Sequence, residues 1–99
     1  MAGSASIAIV TGAAGDIGRA IAKRLADSHD LVALVDVDET ALDAAQAELG
    51  DETRFVAVVA DVTDAQSVSV MAERLKVRGL VRTLVNNAGA ARAVSLHDT

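Results

Sequence analysis

The stretch that decides the fold is residues 6–18, SIAIVTGAAGDIG, in which an apolar run leads into a glycine-rich turn and then into a helix. Residues 7–10 are apolar and mostly β-branched, which predicts a strand buried on both faces. From Asp16 onward, apolar side chains recur at helical spacing, at Ile17, Ile21 and Leu25. The order strand, glycine turn, helix is typical of a nucleotide-binding unit.

The turn itself indicates a phosphate site. Its three glycines follow one another at intervals of three residues, at Gly12, Gly15 and Gly18, which lets the backbone approach a ligand closely. The N–H groups in the first turn of the helix would point back at the turn, where a pyrophosphate fits. The candidate binding residues are Gly12, Gly15, Asp16, Ile17 and Gly18. Many glycine-rich turns only join a strand to a helix, so further motifs must decide between the two interpretations.

Asp36 supplies the first of those motifs. It follows a second apolar run, residues 31–35, and comes eighteen residues after Gly18. A carboxylate at that strand end can accept hydrogen bonds from the ribose hydroxyls of adenosine, which predicts NAD as the cofactor. NADP is disfavoured, because Asp36 would repel a 2′-phosphate and its neighbour Val37 offers no compensating charge. The alternative is that Asp36 only ends a strand and starts a turn.

Composition limits the remaining possibilities. With 99 residues, 52% of them hydrophobic, the chain is globular and at most one small domain. A net charge of −5, with Phe55 as the sole aromatic residue, speaks against a nucleic-acid partner. There is no cysteine, and His29 and His97 lack ligand spacing, so no metal site is predicted. No apolar run is long enough for a membrane and the start lacks signal-peptide features, so we expect a cytoplasmic protein.

The alternation of strands and helices continues along the chain. A helix is predicted over residues 39–49 with Gly50 as its C-terminal cap, a strand over 55–60, a helix over 64–78 with Asp64 as N-cap, and a strand starting at 84–85. Short loops between alternating elements predict an α/β protein with a Rossmann-like, doubly wound parallel sheet.

Two further strand ends carry polar groups at the edge where ligands bind in such sheets. After the third strand, Asp61 could accept from the adenine amino group, and Val62 could offer its N–H and an apolar surface. After the fourth, the amides of Asn86 and Asn87 could tie neighbouring strand ends together. The small residues Ala88 and Gly89 would let a nicotinamide ribose approach. Each motif alone is also an ordinary turn.

Together these residues resemble the short-chain dehydrogenase/reductase family. The matching motifs are Thr11-Gly12 with Gly18, Asp36, Asp61-Val62 and Asn87-Ala88-Gly89. The resemblance implies a seven-stranded parallel sheet whose first four strands lie in the order 3-2-1-4. It also implies NAD or NADP as cofactor and small-molecule alcohol or carbonyl substrates. The Asn-Asn-Ala-Gly sequence favours this family over other Rossmann-like enzymes such as methyltransferases.

The chain departs from the family pattern in two places. Asp16 stands where classical members carry a glycine, and we expect its side chain to cap the helix and point away from the phosphates. The family's catalytic Ser, Tyr and Lys are also missing, since the chain has no Tyr and Lys23 and Lys76 lie on predicted helices. No catalytic residue is therefore assigned. We expect residues 1–99 to be the N-terminal part of one NAD(P)-binding domain whose catalytic half follows Thr99, in a whole protein that is a homo-oligomer. The alternative is a stand-alone, non-catalytic NAD-binding module.

Overall fold

The computed structural model describes residues 5–87, which form a four-stranded sheet with helices on both faces. In chain order the elements are β1 (Ser6–Thr11), α1 (Asp16–Leu25), β2 (Leu31–Asp36), α2 (Glu39–Leu49), β3 (Phe55–Val59), α3 (Ala65–Lys76) and β4 (Leu80–Val85). All neighbouring strands pair in parallel, in the order β3-β2-β1-β4. The predicted fold class and strand order are confirmed.

Side chains of the two central strands alternate between two cores. Ala8 and Val10 of β1 pack with α1 and α2, next to Ala22 and Leu42. The intervening residues of β1 face the opposite side and pack with Met71 and Leu75 of α3. Because successive side chains of a strand point to opposite faces, a strand covered by helices on both sides must be apolar at nearly every position. This requirement explains the continuous apolar runs in β1 and β2.

Local signals fix the ends of α2 and α3. The carboxylate of Asp38 accepts from the N–H of Ala41, and that of Asp64 accepts from the N–H of Gln66. Gly50, with φ of 84°, ends α2 in the left-handed conformation that glycine adopts without strain. The predicted caps at Gly50 and Asp64 are confirmed.

The fourth strand differs from its prediction, since it begins at Leu80 and not at residue 84. Val81 pairs with Ile7 and Thr83 pairs with Ala8, so Arg82 is an extra residue in the ladder. The bulge breaks the alternation of side chains, and the strand lies at the edge, where polar residues are tolerated. A search for continuous apolar residues therefore detects only the C-terminal end of β4.

Within residues 5–87, none of the three helices has the length and apolar character required to cross a membrane.

Candidate functional site

The glycine turn joins β1 to α1 at the carboxyl edge of the sheet. Gly12 has a φ of 66°, in the left-handed region, and its carbonyl oxygen accepts from the N–H of Gly15 at 3.3 Å. Gly15 is the N-cap of α1 and has no side chain to close the helix end. In contrast, α2 and α3 both begin with an aspartate that caps them. The first turn of α1 therefore keeps donors at its N-terminus that no side-chain cap has taken.

Gly18 brings α1 close to this turn. A Cβ on Gly18 would overlap the carbonyl oxygen of Gly12 and lie 2.8 Å from Cα of Ala13. Gly15 is different, because its nearest neighbour would be 3.7 Å from an added Cβ. Among the three glycines of this turn, backbone conformation requires Gly12 and lack of space requires Gly18, whereas a Cβ at Gly15 would be in ordinary van der Waals contact.

Asp16 and Ile17 occupy the outer side of the first turn. The expectation that Asp16 caps α1 is wrong, since the N-cap is Gly15 and Asp16 is already helical. A helical backbone at this position aims the carboxylate along the helix surface, where it pairs with Arg19 and is 94% exposed. Ile17 is also exposed, at 69%, so its side chain adds nothing to the core.

Asp36 touches the glycine turn directly. Its Oδ2 accepts from the N–H of Ala14 at 3.0 Å, and its Oδ1 accepts from the N–H groups of Val37 at 2.8 Å and Asp38 at 3.3 Å. The backbone reinforces the contact, because the Ala13 N–H donates to the carbonyl of Val35 at 3.1 Å. A carboxylate offers about four acceptor positions, so these three bonds fix the group and leave capacity for a further donor.

Asp61 and Val62 lie in the loop after β3, beside the end of β2. Oδ1 of Asp61 accepts from the N–H of Thr63 at 2.9 Å and from its hydroxyl at 2.6 Å, while the Asp61 N–H donates to Ser67 Oγ at 2.8 Å. The side chain of Val62 is half-buried and packs against the core on the α3 side. These contacts pin the loop to the start of α3, at the same edge as Asp36.

The end of β4 is tied to the glycine turn, as the sequence predicts for its two asparagines. Nδ2 of Asn87 donates to the carbonyl oxygen of Gly12 at 3.2 Å. The hydroxyl of Thr11, a residue only 3% exposed, donates to Oδ1 of Asn86 at 2.9 Å. The predicted positions Ala88 and Gly89 lie outside the described residues.

The structure thus brings together the ends of β1, β2 and β4, with the loop after β3 at the same edge. Sequence reasoning missed one residue of this region. Arg19 pairs with Asp16 and donates from Nη1 to the carbonyl of Ala14 at 3.3 Å. The spacing of three residues between Asp16 and Arg19 on a helix is a signal that could have revealed the pair.

The sequence of this chain matches a known protein family. Residues 6–99 match the family model described as short chain dehydrogenase. The chain belongs to the short-chain dehydrogenase family. Among curated relatives of this family, it is 42% identical over 91 residues to galactitol 2-dehydrogenase (L-tagatose-forming) of Cereibacter sphaeroides. The aligned region covers 92% of this chain and 34% of that protein. The chain therefore spans about a third of the length of such relatives.

Solved structures of short-chain dehydrogenases share the fold. One from Burkholderia phymatum, in complex with NAD, has a TM-score of 0.71 and 30% identity, covering 85% of this chain and 31% of the other. A metagenomic short-chain oxidoreductase in complex with NADP has a TM-score of 0.72 and 29% identity, covering 88% of this chain and 40% of the other. Both cofactors thus occur among the similar structures.

Proposed function

We propose that this chain is the cofactor-binding part of an NAD-dependent short-chain dehydrogenase, an enzyme that transfers hydride between NAD(H) and an alcohol or carbonyl substrate. The contact between Asp36 Oδ2 and the N–H of Ala14, at 3.0 Å, carries the proposal. This contact holds the Asp36 carboxylate against the turn proposed to bind the phosphates, and a dinucleotide would need an acceptor for its ribose beside that turn. Family membership supports the reaction class.

The described residues fit a dinucleotide. The absence of a Cβ at Gly18 lets α1 approach the turn, and the start of α1 has no side-chain cap. We assign the phosphates to the turn from Gly12 to Gly18, with the N–H groups around Asp16 and Ile17 as donors. Asp36 would bind the adenosine ribose.

The outer parts of the cofactor would meet the other two strand ends. Asp61 and Val62 would contact the adenine, Asp61 as an acceptor for the amino group and Val62 through its backbone N–H. Asn87, together with Ala88 and Gly89, would border the nicotinamide ribose. When bound, the nicotinamide gives or takes the hydride, while the residues of this chain bind and orient it.

NAD is preferred over NADP in this proposal. The carboxylate of Asp36 is held in place by three backbone N–H groups, so it could not easily turn away from a 2′-phosphate. Val37, next along the chain, is apolar and exposed. A 2′-phosphate would therefore meet a fixed negative charge without a basic partner from this neighbour.

The rest of the enzyme belongs to the proposal as well. The family's catalytic Tyr, which residues 1–99 do not contain, would have to be supplied by another part of the whole protein. The cytoplasmic location and homo-oligomeric assembly predicted from the sequence remain predictions for the whole protein.

The experiment uses the full-length protein that carries this chain. Calorimetric titration with NAD and NADP, and an absorbance assay with a panel of secondary alcohols, test cofactor and reaction separately. We expect tighter binding of NAD and cofactor reduction by at least one alcohol. Binding without turnover, in a protein whose sequence has no Tyr-x-x-x-Lys motif, would favour the non-catalytic NAD-binding module. No binding of either dinucleotide would contradict both.

A further inference from the structure

Arg19 joins three parts of the region around the glycine turn. Its guanidinium pairs with the carboxylate of Asp16, donates from Nη1 to the carbonyl of Ala14 at 3.3 Å, and places Nε 3.3 Å from Oε2 of Glu48. The Arg19 side chain is 26% exposed, whereas its carboxylate partners are largely in solvent. One cation therefore links the glycine turn, the first residue of α1 and the last turn of α2.

Asp16 creates an electrostatic conflict that this cation can relieve. A carboxylate in the first turn of a helix is favourable for the helix, because the N-terminal end carries partial positive charge. The same end is the part of α1 proposed to hold the phosphates of a ligand. A free carboxylate there would compete with the ligand for the N–H groups and repel its negative charge.

We propose that Arg19 is a positioning residue for cofactor binding, which acts by holding the Asp16 carboxylate on the outer surface of α1 and balancing its charge. An isolated, exposed ion pair would be too weak for this role. Arg19 is instead fixed at both ends of its planar group, by the carbonyl of Ala14 and the carboxylate of Glu48. A lysine could not make these contacts together, because it lacks the fork geometry. The inference rests on the proposed function and adds to it a residue that affects the ligand through its hold on Asp16, without touching the ligand itself.

A double-mutant cycle in the full-length protein tests this mechanism. The dissociation constant of NADH is measured by calorimetry for Arg19→Ala, Asp16→Asn and the double variant, at low and at high salt. Arg24→Ala is the matched control, since Arg24 is an exposed arginine in the last turn of the same helix. Thermal unfolding of each variant checks that folding is intact.

We expect Arg19→Ala to weaken NADH binding about fivefold at low salt, because the Asp16 carboxylate would then repel the phosphates of the cofactor. This factor is the one expected for two unit charges roughly 4 Å apart in water. The loss should shrink at high salt, because an exposed charge is screened. Asp16→Asn should restore the affinity of Arg19→Ala to within about twofold of the unaltered protein, and Arg24→Ala should have no effect.

Two results would overturn the inference alone. The first is an equal loss in Arg19→Ala and in the double variant, which would mean that Arg19 acts without Asp16. The second is unchanged affinity in Arg19→Ala. A different result, in which the unaltered protein binds no NADH, would overturn the proposed function and this inference with it.

Discussion

Asp36 has a structural contact as well as its proposed ligand. Its carboxylate holds the N–H of Ala14, so it ties the glycine turn to the end of β2. Any substitution of Asp36 is therefore expected to change both the stability of the fold and the affinity for the cofactor. The two effects can be separated. A loss of stability is measured by unfolding without cofactor, whereas a change in the ratio of NAD to NADP affinity does not depend on stability.

We expect Asp36→Ala to weaken NAD binding in the full-length protein. Each lost hydrogen bond to the charged acceptor costs roughly 1.5 to 3 kcal/mol at the upper limit, and less if water replaces it. Binding of NADP should fall less than binding of NAD, since repulsion of the 2′-phosphate disappears. Calorimetric dissociation constants for both cofactors provide the measurement. Asp43→Ala, which removes an exposed carboxylate from α2, is the control. Equal binding of NAD and NADP by the unaltered protein would show that Asp36 does not set the cofactor preference.

Gly18 and Gly15 should respond differently to the same substitution. Gly18→Ala would press a methyl group onto the backbone of Gly12 and Ala13, and we expect the free energy of unfolding to fall by about 1 to 3 kcal/mol. Gly15→Ala would place its methyl group at an ordinary contact distance and should cost about 1 kcal/mol or less, because alanine is the poorer N-cap. Urea unfolding of the full-length variants measures both. Similar losses for the two variants would argue against close approach at Gly18.

At the scale of elements, Arg54 organises the turn between α1 and β2. Its Nε donates to the carbonyl of Asp30 at 3.1 Å, and its Nη2 donates to the carbonyls of His29, at 3.0 Å, and Ala26. These carbonyls lie past the end of a helix, where no intrahelical donor reaches them. Arg54, the residue before β3, therefore supplies donors to three carbonyls of this connection.

We expect Arg54→Met, which keeps most of the length of the side chain, to lower the free energy of unfolding by about 1 to 3 kcal/mol, because it leaves these acceptors without their donor. Arg74→Met removes an exposed arginine from α3 and should change the free energy of unfolding by about 0.5 kcal/mol or less. Urea unfolding compares the two. If both variants were equally stable, water would be an adequate substitute for the Arg54 guanidinium.

The elements also show which features were accessible from sequence. β1 and β2 could be predicted because burial on both faces imposes apolar residues, and the caps at Gly50 and Asp64 could be predicted because each signal lies within its own helix end. The start of β4 could not, because the bulge at Arg82 changes the alternation. The pairing of Asp36 with Ala14 was equally hidden, since it joins residues that only folding brings together.

At the scale of the whole molecule, β4 is an edge strand of the described residues and carries exposed apolar side chains. β4 pairs only with β1 within residues 5–87, and its Leu80, Val81 and Leu84 are 49%, 47% and 62% exposed. An edge of this kind is a template for pairing with another chain. Most of the length of the relatives lies outside the matched region, which covers 34% of the first of them.

We therefore expect residues 1–99, expressed alone, to associate through β4. Bound NAD would stabilise the folded chain by only about 2.7 kcal/mol at a hundredfold excess over its dissociation constant, and it would leave the edge of β4 uncovered. Leu84→Lys places a charge on the edge and should reduce association, measured by light scattering and sedimentation. Val70→Lys places the same charge on α3, at a valine that is 54% exposed, and should leave association unchanged. A monomer with a cooperative thermal transition and protected amides in β4 would contradict this prediction, because the edge would then be satisfied within one chain.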